Sequence, residues 1–237
     1  MYGILIVTSF VTALISGSAG FGGSLLLLPV VTFCVGPERA VPILTLAQLI
    51  GNISRMAGGW RQIAWKTVCW FCLTALPLAV LGAFGFSVLP KGVVSRCIGA
   101  ALILLVICKC RKIYEPKGTR ATLLAGGAVT GGLSGLAGSG GPIGAAVFLS
   151  LDLPPVAYIA SEAATATAMH IVKTVIYSKM AGLTPQAFVT GLMMGAAMAV
   201  GTFVAKRYIQ NMSKDRFQTY VAVLLCGVGA YMVLFGQ

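Results

Sequence analysis

Apolar residues fill this chain in blocks of about twenty residues separated by short polar gaps, the length of a membrane-crossing helix. Unbroken blocks over Ala40–Gly59, Ala64–Val88, Gly92–Ile107, Val156–Met180, Pro185–Ala205 and Phe217–Gly236 are candidate spans. Two further blocks, Tyr2–Val35 and Thr119–Leu153, are each interrupted by a glycine-rich run. The first run reads SGSAGFGGS from Ser16 to Ser24, and the second reads SGLAGSGGP from Ser134 to Pro142. The longest polar gap, Lys109–Arg120, falls near the middle. The pattern predicts an all-α, polytopic helical membrane protein: one integral membrane domain over 1–237, with a first repeat in 1–108, a central cytoplasmic loop at 109–118 and a second repeat in 119–237.

The repeat is visible at an offset of 118 residues, where six of nine positions in the two glycine runs are identical. The same offset matches Pro37 to Pro155, and it aligns Ser9, Ala13 and Gly17 with Gly127, Gly131 and Gly135. A small residue at every fourth position lets helix backbones approach closely in a membrane. Each half therefore reads as a glycine-broken hairpin followed by three transmembrane helices.

Charge separates two topologies. If every segment crosses, the 17 basic residues divide 10 against 7 between the two sides. If each broken segment dips in and returns, they divide 12 against 5, the larger group being Arg55, Arg61, Lys66, the five within Lys109–Arg120, Lys206, Arg207, Lys214 and Arg216. The second scheme follows the positive-inside rule better. It gives each half an odd number of crossings, so the halves would be inverted repeats.

Composition agrees with a bilayer setting. Of 237 residues, 58% are hydrophobic and only 9% charged, with mean hydropathy +0.94, whereas soluble domains carry about 25% charged residues. The net charge of +12 sits in gaps between apolar blocks, as topology signals and contacts to anionic lipid do, rather than in a nucleic-acid-binding stripe. The first charge is Glu38, so no basic leader precedes the first apolar block, which is expected to remain in the mature protein. Cys69 and Cys72 form a C-x-x-C without the βαβ context or histidine of a redox or metal pair; they are expected to be ordinary membrane-helix cysteines. No metal or cofactor is expected.

The glycine runs raise a physical question, because adjacent glycines weaken a helix and a broken helix leaves backbone groups that lipid cannot satisfy. Small-residue packing explains Gly127, Gly131 and Gly135 but not GFGG or GSGG, which add no packing face. Ser24 suits an N-cap and Pro142 a first helical position, so both runs read as helix starts. Two such N-termini meeting near the midplane would hold an anion on free N–H groups and helix dipoles. The expected ligands are Ser16, Gly20, Gly22, Gly23 and Ser24 from the first run, and Ser134, Gly138, Ser139, Gly140 and Gly141 from the second.

In these motifs, Gly20–Gly23 and Gly138–Gly141, and in its two similar halves, the chain resembles the sulfite exporter TauE/SafE family, also called the TSUP transporters. The resemblance implies transport of small, often sulfur-containing anions such as sulfite, thiosulfate or organosulfonates across the cell inner (plasma) membrane. Ser24, Ser139 and Pro142 depart from the glycine or other small residue expected there, so the motif alone does not select a substrate.

A polar stripe adds to the site. Thr45, Gln48, Asn52 and Arg55 fall within about 80° on a helical wheel, and the 118 offset maps Asn52 onto His170 and Arg55 onto Lys173. Ionisable groups inside a membrane are costly and face cavities or partners. Gln48, Asn52, Arg55, His170 and Lys173 are therefore expected to bind the anion, with snorkelling to the interface as the alternative for Arg55. His170, the only histidine, and Glu162 are candidates for proton coupling, with sodium as another possible coupling ion. A structural Glu162–Lys173 ion pair is the competing reading. Two rival functions remain. One is an intramembrane serine protease with a Ser134–His170 dyad in GLSG, against which stand the twin Ser16 and the missing glycines after the histidine. The other is an anion channel.

Overall fold

The computed structural model describes residues 1–21, 23–84, 119–137, 140–181 and 184–235, with isolated positions Arg96, Ala100 and Ile103. The expected span Gly92–Ile107, the central loop 109–118, and Gly22, Gly138 and Ser139 lie outside the described residues or nearly so. Among the described residues every regular element is a helix. These are α1 (Tyr2–Ala19), α2 (Gly23–Val35), α3 (Pro37–Gly58), α4 (Trp65–Phe84), α5 (Arg120–Ala137), α6 (Gly141–Leu149), α7 (Pro155–Ala181), α8 (Pro185–Ile209) and α9 (Lys214–Phe235), with a 3-10 turn at Trp60–Gln62.

Helix lengths follow from the lipid. Four helices, α1, α4, α8 and α9, are long and apolar enough to cross a membrane. α3 and α7 are as long but carry the polar stripe. α2, with 13 residues, and α6, with nine, reach only about 20 and 14 Å, short of the ~30 Å hydrocarbon core. Both glycine runs thus separate a full-length helix from a short one. The N-termini lie one residue earlier than the capping residues suggested: α2 starts at Gly23, leaving Ser24 inside it, and α6 starts at Gly141 with Pro142 in its first turn. Cap preference biases a helix start without fixing it, because neighbouring frames cost little.

Packing exchanges helices between the halves. α1 lies along α8, and α5 along α4, each pair being the image of the other under the 118 offset. α3 packs on both α7 and α8, and α4 on α7. The small-residue rows sit at the two exchanged crossings. A Cβ on Gly127, Gly131 or Gly135 would lie 2.2, 2.1 or 2.5 Å from the carbonyl oxygens of Phe71, Ala75 and Ala79. On the other side, a Cβ on Gly17 would meet Ala205 and Thr202 within 3.2 Å. The approach of Gly127, Gly131 and Gly135 to the α4 backbone admits only glycine, whereas an added methyl at Gly17 would push its neighbours by a few tenths of an ångström.

The helices expose apolar side chains outward, among them Val7, Leu73, Leu81, Val200, Phe203 and Val223, as lipid-facing surfaces do. Cys69 is a free, outward-facing thiol and Cys72 a half-buried one. One end of the bundle gathers Arg61 between Trp60 and Trp65, whose rings meet edge to face at 5.0 Å, together with Lys66, Lys206, Arg207 and Lys214. Aromatic and basic residues together mark a membrane interface.

Candidate anion site

Each helix break creates four unpaired carbonyls and four unpaired N–H groups, and the buried polar residues cluster at those ends. Ser16 lies in the last turn of α1, and its carbonyl accepts from Gly20 N at 2.8 Å, closing the helix with Gly20 in the left-handed region at φ 87°. Arg55 Nη1 donates to the same carbonyl at 3.1 Å. In the second half, Lys173 Nζ donates to Ser134 Oγ at 2.9 Å. Both contacts span 39 residues of sequence, and the 118 offset maps one onto the other. Each cation therefore sits where a broken helix ends and its dipole is negative.

These cations are buried. Lys173 is 2% exposed and Arg55 7%, so neither snorkels. Arg55 also donates from Nη2 to Asn52 Oδ1 and pairs with Glu162 Oε2 at 3.4 Å. The expected Glu162–Lys173 pair is not formed: Glu162 faces α3, and the 11 residues to Lys173 correspond to about 16 Å along α7. The offset places Leu44 opposite Glu162, so the carboxylate has no repeat-related twin. Among the described residues Lys173 has no carboxylate within ion-pair distance. The buried polar group thus carries one cation neutralised and one not.

Arg55 thus stands at the level of Glu162 on α7, and Lys173 about three turns farther along the same helix. His170 is within electrostatic reach of both Lys173 and Arg55, and its buried Nδ1 meets no partner among the described residues.

The two glycine runs also differ. The side-chain amide of Gln48, halfway along α3, occupies the place where a Cβ on Gly23 would be, with Nε2 2.6 Å from that position and otherwise unpartnered. The Tyr158 ring covers Gly20, its Cε1 2.8 Å from a Cβ there, while its hydroxyl donates to Ala145 O at 3.2 Å. In the second run Gly140 is pressed against Thr130 O and Ser134, a Cβ there falling 2.3 Å from that oxygen. Gly141, the first residue of α6, has no described atom within 4 Å of its Cβ position. The first run is thus covered by Gln48 and Tyr158, whereas in the second Gly140 packs on Thr130 and Ser134 and a Cβ on Gly141 would meet no described atom. Sequence reasoning missed Tyr158, which the repeat maps onto the apolar Ala40, and Thr130, whose buried hydroxyl lacks a partner among the described residues and whose counterpart Thr12 is also buried.

Chemically, the arrangement can hold negative charge but does not assemble a protease dyad. Ser134 bonds Lys173 and not His170, and the equivalent residue in the other half is an arginine, which does not take up or release a proton. A role shared by Arg55 and Lys173 must rest on charge.

Comparison with known proteins bears on the whole chain. Searches of curated proteins and of solved structures gave no match. The family model described as Sulfite exporter TauE/SafE matches residues 5–232. With both helix breaks, both buried cations and all but the outermost ends of the first and last helices inside that match, the chain belongs to the sulfite exporter TauE/SafE family of membrane transporters.

Proposed function

We propose that this protein is a secondary transporter of a small sulfur-containing anion, such as sulfite, thiosulfate or an organosulfonate, across the cell inner membrane. The observation that carries this reading is the repeat-related pair of buried cations, Arg55 at Ser16 and Lys173 at Ser134, each at a glycine-broken helix. Lys173, without a carboxylate partner among the described residues, Ser134 and the adjacent N-terminus of α6 together offer an ammonium, a hydroxyl and backbone N–H groups to an oxyanion. Arg55 and Asn52 offer a second anion contact, and His170 and Glu162 carry the coupling proton in this reading. Carrier and channel share this chemistry; uphill flux driven by a proton or sodium gradient separates them.

Lys173→Met should weaken sulfite binding by about 1.5–3 kcal/mol, ten- to a hundredfold, with Lys173→Arg keeping part of the affinity. Gly141→Leu should abolish flux while the protein still folds, since a Cβ there meets no described atom within 4 Å. Flux into reconstituted vesicles and equilibrium binding measure both. Normal transport in both variants would overturn the site.

Inverted repeats fit the helix directions. α1 runs from the contact of Tyr2 with Gln186 toward Thr202, whereas its image α5 starts with Arg120 stacked 5.0 Å from the Trp70 ring, at the basic end. With that end cytoplasmic, alkaline phosphatase fused after Gln237 should be active and a cytoplasm-dependent fluorescent reporter dark. The reverse result would discard this orientation.

A further inference from the structure

A narrow cleft, with about 20 Å³ of space for a water-sized sphere, opens between α1, α3, α7 and α8 at the basic end, and Arg55 and Lys206 both line it. Gly17, Gly58, Val156 and Thr202 form part of its wall. Arg55 faces two ways: toward this cleft, and toward Ser16, Asn52 and Glu162 in the interior. Lys206 is half-buried, and its Cδ lies 3.5 Å from where a Cβ on Gly58 would be, so its stem crosses the missing side chain. Neither a hydrogen bond nor an ion pair neutralises its ammonium among the described residues. Its neighbour Arg207, in the same last turn of α8, is exposed and does not line the cleft. Dipole compensation and the positive-inside rule account equally for both residues, but they do not account for turning one of them inward beside a second cation.

The repeat does not encode this cleft twice. The 118 offset carries Gly58, Gly59 and Lys206 onto Ile176, Tyr177 and Val88, two bulky residues where the glycines make room and no cation at the rim.

We propose that this cleft is a one-sided loading vestibule for the transported anion, in which Lys206 captures the anion and passes it to Arg55. The inference rests on the transporter reading above and adds the route and the side. A half-buried cation above a second cation, between low-dielectric walls, concentrates small anions and raises their capture rate.

The test uses sulfite and membrane vesicles of both orientations carrying the full chain. Lys206→Met keeps the stem over Gly58 and removes the charge, Lys206→Arg keeps the charge, and Arg207→Met removes an equal charge one residue away. Lys206→Met should raise the apparent KM about tenfold from the face bearing Lys206 and leave it unchanged from the other. Lys206→Arg should restore most of the loss, Arg207→Met should behave as wild type, and melting temperatures should agree. Equal effects of Lys206→Met and Arg207→Met, or equal effects from both faces, would overturn the vestibule while leaving the transporter intact. Absence of sulfite flux in the unsubstituted chain would overturn the transporter reading and the vestibule with it.

Discussion

Glu162→Leu should destabilise the protein by about 3–5 kcal/mol, the range for stripping one partner from a buried ion pair. Arg55 would keep only the Ser16 carbonyl and the Asn52 amide oxygen, neutral acceptors that do not offset a guanidinium held 7% exposed. Removing both charges, as Arg55→Met with Glu162→Leu, should recover much of the stability, because the desolvation cost of the pair disappears with it. Thermal melts of the purified single and double variants in one detergent measure this coupling. The double variant should fold yet fail to transport, which separates the structural from the functional share of Arg55. A single Glu162→Leu variant as stable as wild type would mean that Glu162 does not hold Arg55.

The second large effect is steric. Gly131→Ala places a methyl carbon 2.1 Å from Ala75 O and 2.7 Å from Ala75 C and Cα, all backbone atoms that no rotamer change can move. α4 and α5 must separate by an ångström or more, and Gly127 and Gly135 lose their contacts with the same helix. Within lipid no hydrophobic force drives helix association, so close packing carries much of it. The expected loss is about 3 kcal/mol or more, read as a collapsed monodisperse yield and a lowered melting temperature. Gly132→Ala is the control: one position along, its Cβ meets nothing within 4 Å, and alanine should add about 0.5–1 kcal/mol of helix stability. Equal behaviour of the two variants would contradict the α4–α5 crossing.

Residues close in sequence carried most of the fold. The apolar block lengths and the two glycine runs determined where helices stand and where they break, because lipid forces each backbone group to pair within its own segment. The rows Ser9–Ala13–Gly17 and Gly127–Gly131–Gly135 determined which faces approach closely, and the 118-residue offset singled out Arg55 and Lys173 as equivalents before any contact was visible. Which surfaces those faces meet depends on distant parts of the chain. A helical wheel places Gln48 and Arg55 on one stripe but does not tell that the stripe meets Gly23, Ser16 and Glu162. Only the tertiary structure decided that Glu162 pairs across to α3 and not along α7 to Lys173, that α1 and α5 pack on the opposite halves, and that Gln48 and Tyr158 cover one glycine run while Thr130 and Ser134 meet Gly140 in the other. The physical reason is that charge pairing and close packing depend on the distance and rotation between helices, whereas helix formation in lipid depends on the residues within each helix.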